Sequence, residues 1–255
     1  MNRPVPRGAA SVATDASHPA RHCLSIAVLL AVVVTAMLAA PNPVRAQERV
    51  IISGGGDLDN SSDGYVGATV ALPDSQIGQG LAVRGSVFGG TYDYRGGASN
   101  QRINARFGGG ELDLIYQLTR GGFWLNGGIG GRYVDTTLSP RDPSNRRSGS
   151  QGEVALVVDG GYVSGPWRTD WYASYGTRLE DIQGRLSLTH ALAGPWRGGL
   201  EAEAEGDPTY GEQRVGPIAA FAFSKSSEVQ VSGGFSDGTV RGLGGYMRVG
   251  FYTGF

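Results

Sequence analysis

"YMRVGFYTGF", residues 246–255, closes the chain, and it alternates. Met247, Val249, Phe251, Thr253 and Phe255 share one face of an extended strand, and Tyr246, Arg248, Gly250 and Tyr252 share the other. In a soluble protein such a strand, ending on a bare aromatic, would be an exposed adhesive edge. It is tolerable only where its edge is paired and its apolar face is covered. Period two is therefore the pattern to follow back along the chain.

It recurs from residue 49 onward. "DGYVGATVAL" (63–72) puts Val66, Ala68, Val70 and Leu72 on one face. "GLAVRGSVFGGTYDYR" (80–95) opposes Leu81, Val83 and Val87 to Ala82, Arg84 and Ser86. "EVALVVDGGY" (153–162) sets Val154, Leu156 and Val158 against Glu153 and Asp159. "WRTDWYASYGTR" (167–178) sets Trp167, Trp171 and Tyr175 against Arg168, Asp170 and Arg178. The cleanest is "GLEAEAE" (199–205), with Leu200, Ala202 and Ala204 opposite Glu201, Glu203 and Glu205. In "INARFGGGELDLIYQL" (103–118) the apolar parity switches: Ile103, Ala105 and Phe107 are odd, whereas Leu112, Leu114, Tyr116 and Leu118 are even. The switch predicts a β-bulge at Gly108–Gly110. About 12 strands result, with 10 or 14 as alternatives if weak strands merge or split.

The connections alternate in length. "TRGG" (119–122), "SGP" (164–166), "AGP" (193–195) and "SKSS" (224–227) are short. "GGASNQR" (96–102), "SPRDPSNRRSGS" (139–150) and "GDPTYGEQ" (206–213) are longer and polar, with "LED" (179–181) as the exception. Outward aromatics collect in two bands. Tyr116, Phe123, Tyr162, Trp167, Trp196, Phe223 and Phe255 lie by the short turns, and Tyr133, Tyr175 and Phe235 lie at the opposite ends. Short turns on one side, long loops on the other and two aromatic girdles are the signature of a transmembrane β-barrel. A soluble sandwich or lipocalin-like barrel gives no reason for the banding. The expected fold is all-β: one up-and-down antiparallel transmembrane β-barrel over residues 47–255.

The N-terminus agrees. Arg3, Arg7 and Arg21 precede the uncharged run Leu24–Ala40, and Val44 and Ala46 stand at the small-residue positions of a cleavage site before Gln47. Residues 1–46 are read as a cleaved secretory signal peptide rather than a membrane anchor. Cys23 precedes the apolar run, so no lipoprotein cysteine stands at the cleavage point, and the remaining chain has no cysteine for a disulfide. After residue 46 there are 18 basic and 22 acidic residues, a balance that argues against a nucleic-acid partner. Lys225 is the only lysine.

Several stretches resemble the BcsS family, outer-membrane proteins encoded with bacterial cellulose synthesis genes. They are "GYVGATVALP" (64–73), "GLAVRGSVFGGTYDYR" (80–95) and, most specifically, "TTLSPRDPSNRRSGSQGEVAL" (136–156). The resemblance implies a role in making or exporting cellulose and no catalytic residues. It also implies the cell outer membrane of a Gram-negative bacterium, with outer-membrane lipid as surroundings and cellulose synthesis or export proteins, or the glucan itself, as partners. Phe251 and Phe255 resemble the C-terminal signal read by the barrel assembly machinery.

Candidate site residues follow from the facing. Arg84, Arg106, Glu111, Asp113, Arg132, Glu153, Asp159, Arg168, Asp170, Arg178, Arg185, Glu201, Glu203, Glu205, Arg214 and Arg248 are assigned to the lumen. Mixed signs favour ion pairs that plug the interior over an open channel. Arg141, Asp142, Asn145, Arg146 and Arg147 form a candidate extracellular contact loop, or a merely solvated one. Catalysis would need a nucleophile and base, but the single histidine after residue 46, His190, shares the lipid-facing parity of Leu186 and Leu188. No catalytic residue, metal or cofactor is expected.

Overall fold

The computed structural model describes residues 49–59, 61–96, 101–240 and 242–255. The signal-peptide reading of residues 1–46 lies outside them. The described residues form twelve strands: β1 (Val50–Leu58), β2 (Ser62–Ala71), β3 (Gly80–Gly96), β4 (Gln101–Arg120), β5 (Phe123–Ser139), β6 (Gly149–Ser164), β7 (Trp167–Gly176), β8 (Ile182–Ala191), β9 (Trp196–Asp207), β10 (Tyr210–Ser224), β11 (Ser227–Gly238) and β12 (Gly242–Gly254). Each pairs antiparallel with its sequence neighbours, and β12 returns to β1, so the sheet is a closed barrel.

Closure explains the terminal strand. β1 and β12 pair from Ile51↔Gly254 to Leu58↔Met247. Beyond that ladder the Phe255 carbonyl accepts from Arg49 N–H at 2.7 Å, and Phe255 N–H donates to the Val50 carbonyl at 2.8 Å. Both would-be edges thus satisfy each other, which is the condition for a sheet to stand in hydrocarbon.

The wall is inside-out relative to a soluble protein. Leu112, Leu200, Val87, Leu186 and Ile129 are exposed on its exterior, whereas Asp113, Glu201, Glu203, Arg214 and Arg248 are buried within. Both expected girdles are present: Tyr116, Tyr162, Trp167, Trp196 and Phe223 are exposed by the terminus-side turns, and Tyr133, Tyr175 and Phe235 by the other rim. Tight terminus-side turns use glycine where the backbone turns left-handed, at Gly121 (φ 62°) and Gly165 (φ 58°).

Two expectations about the wall are corrected. No bulge interrupts β4 at Gly108–Gly110: its register runs unbroken from Gly80↔Gln117 to Gly96↔Gln101 against β3 and from Asn104↔Ser139 to Arg120↔Phe123 against β5. The backbone keeps its phase, and the surroundings change instead. Past the girdle, Ile103 and Ala105 turn inward to pack with Leu138, Tyr92 and Tyr94. The loop asymmetry is also weaker than expected. The 206–213 connection shrinks to the turn between Asp207 and Tyr210 because β9 and β10 extend into it, and an eight-residue connection (72–79) lies on the terminus side.

A charge on the lipid face separates wall from lumen. Leu114→Arg adds a cation to the exterior between the girdles, at a cost of about 2–4 kcal/mol near the bilayer midplane. The folded, heat-modifiable fraction after refolding into lipid should fall for Leu114→Arg and stay near wild type for Leu114→Ala.

Candidate functional site

The lumen holds the chemistry. Strand parity places Asp57, Arg248, Glu201, Glu203, Arg185 and Arg214 on inward positions of β1, β12, β9, β8 and β10. Arg248 grips Asp57 through two parallel bonds, Nε to Oδ1 and Nη2 to Oδ2, both 2.5 Å. Its remaining nitrogen, Nη1, reaches the Glu203 carboxylate and, at 3.7 Å, Glu201. Arg185 pairs with Glu201. Arg214 sits among five carboxylates: Glu212 (2.9 Å), Asp59 (3.0 Å), Glu205 (3.3 Å), Asp57 (3.4 Å) and Glu203 (3.7 Å). Tyr210 donates into the same group at Glu205, 3.0 Å away.

Two further groups line the opposite wall. Arg132 pairs with Glu111, with Asp181 at 2.8 Å and with Glu153 at 3.6 Å. Arg84 Nη2 donates to Asp159 at 2.7 Å, whose second oxygen accepts from Asn126 at 2.7 Å. Beside them Ala82, Ile115 and Val157 form a buried apolar patch against Tyr172. This inward patch was not anticipated.

Several bonds cross the lumen instead of following the wall. Near the terminus-side rim, Arg168 on β7 reaches Tyr252 on β12 (Nη1 to hydroxyl, 3.2 Å) and Glu228 on β11 (3.5 Å), besides its neighbour Asp170 (2.9 Å). In a twelve-strand ring β7 and β12 stand almost opposite each other. At the other rim the connection 140–148 folds across the mouth. Arg147 Nε donates to Asp207 at 2.7 Å, joining the β5–β6 connection to the end of β9. Asp142 accepts from the Tyr94 hydroxyl at 2.9 Å and from Ser144, and Asn145 Nδ2 donates to the same Tyr94 oxygen at 2.8 Å. Those hydrogen bonds, from Ser144 first and Tyr94 second, hold the Asp142 carboxyl below the usual carboxylate range.

Of the residues assigned to the lumen, two are corrected. Arg106 is exposed on the outward parity with Leu112 and Leu114, because β4 has no bulge to carry it inward. Arg178 lies exposed in the β7–β8 turn, since β7 ends at Gly176; its N–H donates to Glu153 at 3.1 Å. Asp113 is inward and buried, and the rest of the assigned set sits in the groups above. The candidate loop divides: Arg141 and Arg146 are exposed, while Asp142, Asn145 and Arg147 tie it down. Asp57, Glu212, Glu228 and Tyr252 were missed. "EVQVS" (228–232) and "YGEQR" (210–214) did carry the alternation that reveals two of them.

This geometry defines a twelve-stranded transmembrane β-barrel with a lumen crossed by ion pairs. The transport unit of the Escherichia coli autotransporter AIDA-I is similar in fold, at 9% identity and TM-score 0.52, covering 90% of this chain and 97% of that one. The KdgM porin aligns at 11% identity and TM-score 0.49, covering 80% and 99%, and the translocator domain of Neisseria meningitidis NalP at 14% and 0.47, covering 92% and 98%. Among curated proteins no significant sequence match is found. The family comparison is specific: residues 51–255 match cellulose biosynthesis protein BcsS, and the chain belongs to that family.

Two variants probe the lumen. Arg248→Met leaves Asp57 and Glu203 buried beside one another with only the more distant Arg214 between them, at 3.4 and 3.7 Å, at a cost of about 3 kcal/mol. Urea unfolding in lipid should show that loss, and adding Asp57→Asn should restore part of it. Tyr94→Phe removes one donor to Asp142 and one acceptor from Asn145, each bond worth about 1 kcal/mol. Hydrogen exchange across 140–148 should accelerate in that variant, with the strands below unchanged.

Proposed function

We propose that this BcsS-family barrel is a non-enzymatic accessory of cellulose synthesis or export in the outer membrane of a Gram-negative bacterium. In this role it organises the export apparatus rather than conducting solute. The observation that carries the reading is the cross-bracing of the lumen: Arg168 to Tyr252 and Glu228 at one rim, Arg147 to Asp207 at the other. Bonds between distant strands hold the wall rigid and occupy the path a solute would take. His190, the natural candidate base for a lipid-modifying enzyme, supports the same reading. It lies on the outer wall with its ring edge-on to Trp167, centroids 4.7 Å apart. The partners that fit are outer-membrane lipid, the barrel assembly machinery acting on Phe251 and Phe255, and an export protein or the glucan at the loop end.

A small-solute channel is the second reading, favoured by one observation. Tyr65 faces inward, paired with Gly55 and Phe88, yet 46% of its surface is open to water, so the interior is not filled throughout.

Removing the gene from a cellulose-producing host should lower extracellular cellulose, and the wild-type chain and His190→Ala should restore it equally. Purified barrel in planar bilayers should stay silent. Stepwise openings would move the assignment to the channel, and a lipid profile altered by wild type but not by His190→Ala would move it to the enzyme.

A further inference from the structure

The two features of β4 that broke the expected pattern, the outward Arg106 and the unbulged glycines below it, belong to one surface. On the exterior of the β3–β5 sheet, above the girdle, Arg95 stands directly opposite Arg102, and Arg106 stands opposite Thr91 and Thr137. All three arginines are exposed. Asp93 lies between them in register and accepts from Arg102 Nε at 3.1 Å. Among the described residues no carboxylate pairs with Arg95 or Arg106, and the nearby Asp135 accepts from the Ser150 hydroxyl at 2.6 Å. Like charges directly opposite one another destabilise a sheet unless an anion lies between them.

Immediately below, the outward positions are Gly89 and Gly108, with the exposed Asp135 at their β5 edge; the next row sets Gly110 between the exposed Val87 and Tyr133, and the exposed Leu112 follows. Gly108 is not demanded by its backbone or its packing: a side-chain carbon there would meet nothing closer than 3.9 Å. Gly89 and Gly108, continued by Gly110 between Val87 and Tyr133, thus leave bare backbone as a shallow floor that runs from the cationic rim into the apolar wall. Arg106 pairs four residues beyond Tyr133 along β5. At about 3.3 Å per residue and a tilt of about 40°, it stands roughly 10 Å above the girdle. That is the level of headgroups, not of acyl chains.

We propose that this outer face binds a phosphorylated glycolipid of the surrounding leaflet. Its phosphates would sit on Arg95, Arg102 and Arg106, its sugar over the glycine floor, and its acyl chains along Val87, Leu112 and Tyr133. The vertical order of cation, smooth floor and apolar wall matches the order of phosphate, sugar and chain in such a lipid. Guanidinium suits phosphate because its planar fork donates two parallel bonds.

The test uses the full barrel in detergent micelles, with diphosphoryl lipid A as the probe and retained lipid read by native mass spectrometry. Arg95→Gln/Arg102→Gln/Arg106→Gln should weaken retention on the order of 100-fold at low salt, each juxtamembrane charge contributing about fivefold. The matching Lys triple variant should keep most of the binding. Gly108→Trp, with every charge intact, should weaken it by filling the floor. Heat-modifiable migration confirms that each variant is folded. Unchanged retention in the Gln variant would overturn the proposal. So would equal competition by inorganic pyrophosphate, which would mark a free-anion site, or equal retention of phosphatidylglycerol, which would mark a generic anionic surface. The cellulose phenotype is a separate readout, so failure here leaves the proposed function standing.

Discussion

The ladder between β1 and β12 is the constraint on which everything else depends. Each unpaired N–H or C=O in hydrocarbon costs several kcal/mol. An open twelve-strand sheet would carry two such edges, and pairing from Ile51 to Leu58 with Gly254 to Met247 removes both. Closure then dictates the side-chain chemistry. With the exterior committed to lipid, alternation sends every second residue inward, so Arg, Asp and Glu collect in a confined space. There a charge is tolerable only when paired. The ion network is therefore a consequence of closing the sheet before it is anything functional.

What the network does beyond satisfying itself depends on which strands it connects. Pairs between adjacent strands, such as Arg185 with Glu201 near it on β9, reinforce ladders that already exist. Pairs such as Arg214 on β10 with Asp57 on β1, or Arg168 on β7 with Tyr252 on β12, resist ovalisation of the barrel, which backbone bonds alone permit. The buried patch of Ala82, Ile115 and Val157 acts on the same wall by filling space that ions would have to share with water.

Much of this was legible in the sequence, and the boundary of legibility is physical. Period two gave the strand number, the lipid face and most inward charges, because "GLEAEAE" and its like encode facing locally. Arg106 and Arg178 were misplaced for one reason. Apolar parity reports facing only where lipid is present. Above the girdle Ile103 and Ala105 seek the interior instead, and at Arg178 the strand has already ended. The cross-lumen partners were not legible at all. Which β1 carboxylate meets Arg214 depends on circumference and stagger, properties of the closed ring rather than of any segment.

The choice of cation follows from the same geometry. Arg248 satisfies Asp57 with two parallel bonds while a third nitrogen reaches Glu203, and Arg214 serves five carboxylates from one plane. An ammonium is a compact point charge and cannot span oxygens held in fixed positions on three strands. It also sheds its proton more readily when desolvated, which would leave the acids unopposed. The lone lysine, Lys225, accordingly sits exposed in the β10–β11 turn, where neither property is needed. Arginine dominates here because a narrow, closed lumen has room for few cations, so each must neutralise several acids from one position.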